Sequence, residues 1–394
     1  MPARPTARWP YVLAALWLLA GGAWLARGAA HGGVPYRPWA FDHHCYSDLI
    51  AMAGDRYFQG GRPFPYLEDR IEYPVLLGLA LWLPSFAPGG PLGYFTVGAL
   101  LLALCGLAAV ALLARIPGAR PWWLAATPAL AYHGALNWDL LPIALLLLGV
   151  ALLARSRPGA CGAILALGVS AKLWPVALVP GAAAALLARR DVRALGRGAL
   201  AAVAAFVAVN APFVALAPAA WTYFWSFNAG RGAENSVWEV LRASPRLAPL
   251  ATDATFLNVA TGSLLAAAAA LAAAAAYRAA RGPDALRAVR LGTALVLVVW
   301  IATNKVWSPQ YALWAFTAGA LAAAPGWLFA LHAVLVPLDY HVAFETRASR
   351  GLLHYFDTLY FAEEVVRGVA YLLLAAWIAR ELWRAARGAR AEGA

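Results

Sequence analysis

Apolar residues arrive in runs, at about 9–27, 73–86, 92–114, 121–134, 138–155, 159–171, 174–188, 198–216, 254–277, 288–303, 309–323, 326–340 and 364–382. Continuous runs of this kind read as helices in a bilayer. Several fall short of the roughly 20 residues that one crossing needs. Proline interrupts others. Short or broken helices at membrane depth are tolerated where they line a cavity or are covered by protein. The pattern therefore predicts an all-α polytopic membrane protein, a single integral domain over 1–394, with a site at membrane depth.

Composition agrees with that reading: 63% of residues are apolar, 13% are charged, and the mean hydropathy is +0.64. The net charge of +12 is not a nucleic-acid signal, because the arginines gather in short loops and no basic patch is interleaved with aromatics. The amino terminus, the Arg155–Arg157 loop, the loop with Arg189, Arg190, Arg193 and Arg197, the Arg278–Arg290 loop and the basic tail 383–394 read as cytoplasmic. The segments 28–72, 217–253 and 341–363 then lie outside, with Asn137-Trp138-Asp139 on the same side. This assignment requires that either 73–86 or 121–134 does not fully cross. The first run follows Arg4 and Arg8 but lacks a convincing cleavage site, so it is expected to stay as the first helix. Cys45, Cys105 and Cys161 form no evident disulfide framework. Richness in Ala, Arg and Pro with almost no Lys points to a GC-rich bacterial genome, hence a bacterial plasma membrane.

Only two lysines occur, against 29 arginines. Lys172 sits in Ala171-Lys172-Leu173-Trp174-Pro175 and Lys305 in Asn304-Lys305-Val306-Trp307-Ser308-Pro309, each where an apolar run breaks. A charge at such a break is costly and usually functional, and Lys is a compact point charge suited to phosphate. Orientation puts both on the outer side. The first outer segment is the richest in ionisable groups, with Asp42, His43, His44, Asp48, Asp55, Glu68, Asp69 and Glu72. Within it Tyr46, Leu49, Ile50, Ala53 and Tyr57 fall at helical spacing, predicting a helix from about 46 to 58. That helix would lie on the membrane surface, capped by Ser47, with Asp48 and Asp55 on its polar face. A carboxylate beside a membrane cavity suits a general base, and Asp48 at the helix start is the favoured one. His43 and His44 do not share a helix face and no further outer His pairs with them in sequence, so no metal site is expected. Trp221, Tyr223, Phe224, Trp225, Phe227 and Trp238 suit either the interface or sugar stacking, beside Asn228, Arg231, Glu234 and Asn235.

The order Tyr46-Ser47-Asp48-Leu49, Pro65-Tyr66, Glu72-Tyr73-Pro74, then Asn137-Trp138-Asp139-Leu140-Leu141, then Lys172-Leu173-Trp174-Pro175, then Asn304-Lys305-Val306-Trp307-Ser308-Pro309-Gln310-Tyr311 resembles glycosyltransferase family 87. These are polyprenyl-phosphate-sugar-dependent, mannosyltransferase-like enzymes of actinobacteria. The resemblance implies a GT-C-type fold of about 11–13 transmembrane or half-membrane helices. It implies transfer of a hexose, mannose by resemblance alone, from a polyprenyl-phosphate sugar to a glycolipid or cell-envelope glycan acceptor at the outer face, with inversion. It makes Asp48 the catalytic base, with Asp42 as understudy. Lys172, Lys305 and Arg231 are expected at the donor phosphate. Tyr46, Glu72, Tyr73, Asn137, Asp139, Trp174, Asn304, Gln310 and Tyr311 are expected around the substrates. The family's mannosyltransferases of phosphatidylinositol mannoside synthesis carry histidines in the late motif. Here that place reads Ser308-Pro309-Gln310-Tyr311, which raises the weight on Lys305. No cofactor is expected. The alternative class, a polytopic transporter or lipid flippase, shares the broken helices and intramembrane charge, but no inverted repeat is evident in the sequence.

Overall fold

The computed structural model describes residues 8–31, 36–54, 56–58, 61–280, 282, 284–348 and 358–391. Among these the protein is helical, and its only strand-like pairings are two isolated bridges. Six helices are long and apolar enough to cross a membrane: Trp9–His31, Gly90–Arg115, Val192–Leu216, Ala254–Ala279, Ala285–Thr303 and Gly326–Glu345. Between them lie shorter apolar pieces, Val75–Phe86, Leu140–Ala154, Pro158–Ala171 and Trp174–Ala188. The chain is an all-α polytopic membrane protein.

Small residues bring these helices together, as expected where no hydrophobic driving force acts between them in lipid. A Cβ on Gly162 would lie 2.0 Å from the Gly198 carbonyl oxygen, so Pro158–Ala171 and Val192–Leu216 touch backbone to backbone. Gly292 meets Ala272 in the same way across the next pair. At the end of the bundle away from the first loop, buried Arg290 donates to the carbonyls of Gly118 and Leu321. A cation there satisfies the Leu321 carbonyl at the end of the short Ala312–Ala322 helix together with the Gly118 carbonyl of the loop after Gly90–Arg115.

The boundaries differ from the sequence expectation in places that matter. The first-loop helix runs only over Asp48–Gly54, and Leu49 to Ala53 are all buried. Its apolar stripe is covered by protein. Leu49 packs over Gly98, and the Asp48 N–H donates to the Leu136 carbonyl at 2.8 Å. Ser47 caps it as expected, its Oγ accepting from the Leu49 N–H at 3.2 Å. Asp55 lies outside the described residues, as do Arg350, His354 and Asp357 of the last loop. The final helix is described over Thr358–Ala391, so residues 383–391 of the expected basic tail are helical.

The crossing conflict also resolves. Both ends of Val75–Phe86 stay beside first-loop residues: Tyr66 donates to the Tyr73 and Pro74 carbonyls, and Trp82 packs on Phe64. The stretch 121–134 instead splits into Trp122–Ala125 and Ala129–His133 around Thr127-Pro128. It runs from the Arg290 end of the bundle, where the Arg120 N–H donates to the Ala320 carbonyl, to Asn137 on the first-loop side. Trp123 anchors this broken traverse, donating to the Ala324 carbonyl at 2.9 Å and lying flat on Gly319. A Cβ on Gly319 would come within 2.2 Å of the Trp123 ring. Gly319→Val should therefore displace Trp123 and cost about 1–3 kcal/mol through overpacking, read as a lower unfolding midpoint of the purified protein in lipid nanodiscs.

Candidate active site

Two helix breaks and the first loop converge on one cavity of ≈ 620 Å³. Its wall includes Tyr46, Asp48, Glu72, Tyr73, Asn137, Lys172, Trp174, Arg231, Asn304, Lys305, Gln310 and Tyr311. Residues scattered over more than half the chain thus meet in one place. Two expected site residues do not line it. Asp42 ends the short Tyr36–Asp42 helix with its side chain exposed. Asp139 is fully buried behind the wall.

The Asp48 carboxylate is held at both oxygens. Tyr46 donates its hydroxyl to Oδ1 at 2.8 Å, and Asn137 donates Nδ2 to Oδ2 at 2.7 Å. Burial pushes this carboxyl above the usual range, while the bonds from Asn137 and Tyr46 and the charge of Lys172 pull it back. Asn137 also donates to the Tyr73 hydroxyl at 3.0 Å and accepts from Lys172 Nζ at 3.2 Å.

Lys172 stands at its break because the Pro158–Ala171 helix stops there. Its own backbone is extended, and Trp174-Pro175 restarts the chain as a tight turn. Its ammonium donates to Asp139 Oδ2 at 2.8 Å, and Trp314 donates to the other Asp139 oxygen at 2.7 Å. Asp139 therefore anchors Lys172 from behind rather than facing a ligand. With bonds to Asn137 and Asp139, one of the three ammonium N–H groups has no acceptor among the described residues.

Lys305 occupies the facing break. The Ala285–Thr303 helix ends at Asn304, and Lys305 Nζ donates to the Ala229 carbonyl at 3.0 Å. Burial and nearby Arg231 both push its ammonium pKa down. Arg231 is paired with Glu234. Backbone bonds tie these pieces into a short bridge: the Glu234 N–H donates to the Lys305 carbonyl and the Trp307 N–H to the Glu234 carbonyl, both at 2.9 Å.

Some residues escaped the sequence reading. Arg347, from the last outer segment, lines the cavity with Phe344 and Phe41. Trp314 and the buried Asp339–Arg367 pair, 2.6 Å apart, were not singled out. The signal for the pair was present, since an acid and an arginine lie inside two separate apolar runs. His44 does have a histidine partner: its Nδ1 is 2.7 Å from His341 Nδ1, and its Nε2 is 2.9 Å from Glu345. Its two ring nitrogens face different partners, which makes a hydrogen-bond chain rather than a chelate. Among the described residues no group of three His, Cys, Asp or Glu is placed to hold a metal ion.

A family model, glycosyltransferase family 87, matches residues 72–303, more than half of the chain. The chain belongs to glycosyltransferase family 87. It is a membrane glycosyltransferase with donor and acceptor substrates. The match takes in Glu72, Tyr73, Asn137, Asp139, Lys172, Trp174 and Arg231, whereas Asp48, Lys305, Gln310 and Tyr311 lie beyond its ends. No curated protein and no solved structure matches the chain.

Removing Asp139 takes the bonded counter-charge from the Lys172 ammonium, whose side chain is 12% exposed, at a cost of up to about 3–5 kcal/mol. Asp139→Leu alone should therefore lower the denaturation midpoint more than the double variant Asp139→Leu with Lys172→Met, which removes both charges. Unfolding curves of the three proteins in one detergent check this order.

Proposed function

We propose that this glycosyltransferase moves a hexose, mannose by family resemblance, from a polyprenyl-phosphate sugar to a glycolipid or cell-envelope glycan at the outer face of a bacterial plasma membrane. The observation that carries the reading is the continuous chain from the Asp48 carboxylate through Asn137 to the Lys172 ammonium in the cavity wall. A base and a phosphate-binding cation held at fixed separation suit a displacement at a sugar carbon bonded to phosphate.

In that reaction an acceptor hydroxyl oxygen attacks the anomeric carbon and the bond from that carbon to the phosphate oxygen breaks. The hydroxyl proton passes to Asp48. The leaving polyprenyl phosphate keeps the electron pair and needs no proton, only cations. Lys172, Lys305 and Arg231 supply them. One displacement with one base inverts the anomeric centre. Asp42, the understudy, is exposed and is not among the residues of the cavity wall, so Asp48 is the favoured base. Around the substrates stand Tyr46, Glu72, Tyr73, Asn137, Trp174, Asn304, Gln310 and Tyr311. The outward orientation rests on the arginine-rich loops of the opposite side. A transporter or flippase would need no such base and has no support from the family.

Asp48→Asn should bind donor but lose turnover by about 10²–10⁴-fold, the usual worth of a positioned base. Single-turnover transfer from a radiolabelled prenyl-phosphate hexose measures it, and near-normal turnover would remove Asp48 from the mechanism. The pH profile carries a second test. Burial raises the Asp48 pKa and the base must be ionised, so on acidification activity should fall at a higher pH than an unperturbed aspartate would impose. Tyr46→Phe deletes a bond that favours the ionised form, so its acid limb should move to still higher pH.

A further inference from the structure

Behind the cavity wall that carries Lys305 lies a guanidinium joining three separate parts of the chain. Arg367, on the Thr358–Ala391 helix, is buried with Asp339, Glu363 and Glu364. Its Nη1 donates to Asp339 Oδ1 at 2.6 Å and to Glu363 Oε2 at 2.7 Å, and Glu364 lies 3.8 Å away. Its Nη2 donates to the Asn235 carbonyl at 2.8 Å, and its Cζ lies 3.6 Å over the centre of the Trp307 ring. Tyr360 from the same helix donates to the Asn235 side chain at 2.8 Å.

These contacts fall on both sides of the bridge that sets Lys305. Asn235 follows Glu234 and Trp307 follows Val306, and Glu234 pairs with Val306 across two backbone bonds. Asn235 also holds a left-handed backbone, φ 49°, which a non-glycine residue keeps only when its surroundings fix it. Neither the bridge nor Lys305 belongs to a helix, so Lys305 is placed by the two bridge bonds, and only as firmly as the 234–235 and 305–307 segments are held to each other. A planar fork that accepts a ring on its face and carbonyl and carboxylates at its edge does what Lys cannot. The cost of burying it is offset by the bonded carboxylates of Asp339 and Glu363, by the Asn235 carbonyl and by the Trp307 ring.

We propose that Arg367 is the positioning residue for Lys305: it locks the 234–235 and 305–307 segments together and thereby holds the Lys305 ammonium where the lipid phosphate binds. The inference rests on the reading of Lys305 as a phosphate cation. It assigns Arg367 no contact with substrate.

The test is a double-mutant cycle on binding of farnesyl phosphate, used as the probe, to the full-length protein in nanodiscs. Lys305→Met should weaken binding by about tenfold, the loss of one charge-assisted hydrogen bond. Arg367→Lys, which keeps the charge and loses the fork, should weaken it similarly, raising the donor KM while kcat changes much less. In the Lys305→Met background Arg367→Lys should then add little, because the two act through one contact. Trp307→Leu, which removes the aromatic stacking surface without touching the buried charges, gives the same cycle if Arg367→Lys does not fold. Full additivity, or a fall in kcat with unchanged farnesyl phosphate affinity, would overturn the positioning role. If Lys305→Met itself leaves the affinity unchanged, the phosphate reading falls first and takes this inference with it. If only the Arg367 and Trp307 variants are silent, the phosphate reading stands alone.

Discussion

The side-chain amide of Asn137 is the constraint on which the site depends. Its two N–H groups go to Asp48 and the Tyr73 hydroxyl, and its oxygen accepts from Lys172 and from the Trp138 N–H at 2.6 Å. Two donors and two acceptor positions are thereby all used. The amide has one orientation that satisfies this set, because a flip would face its oxygen to a carboxylate and its N–H groups to an ammonium. Asn137 therefore separates a carboxylate and a cation that would otherwise close into a direct ion pair. Asp48 keeps an acceptor role and Lys172 keeps a free donor. Asp139 and Trp314 then lock the far side of Lys172.

The rest of the architecture can be understood as support for that arrangement. Three breaks in the chain deliver it: Pro158–Ala171 ends at Lys172, Ala285–Thr303 ends at Asn304, and the broken traverse over 121–134 ends just before Asn137. Each break exposes backbone polar groups at membrane depth, and each is covered by protein rather than lipid. Glycine contacts between the long helices and the Arg290 clasp at the other end of the bundle make that cover rigid.

Much of this was legible in the sequence. Two lysines at two helix breaks, an Asn-Trp-Asp triplet and an acid at the start of a short helix were enough to name most of the cavity wall. What could not be read was depth and partnership. Asp139 and Asn137 look equivalent in a triplet, yet one faces the cavity and the other is sealed behind it, which depends on Trp314 from a distant helix. The 46–58 periodicity was real, but the sequence does not reveal that Gly98 leaves room for Leu49, which buries the stripe in protein instead of lipid. His44 lacked a histidine partner only because His341 is nearly three hundred positions away in sequence. Arg367 and Asp339 sat inside apolar runs as visible charges, but their role appears only once Asn235 and Trp307 are seen between them.

The central claim is that the cavity holds a lipid phosphate between the lysines, with its sugar carbon facing Asp48. A cryo-EM structure of the protein with a polyprenyl phosphate bound tests it most directly. The account predicts phosphate density in hydrogen-bond contact with Lys172 or Lys305 and beside the Asp48 carboxylate. Phosphate bound elsewhere, with this cavity empty, would contradict it.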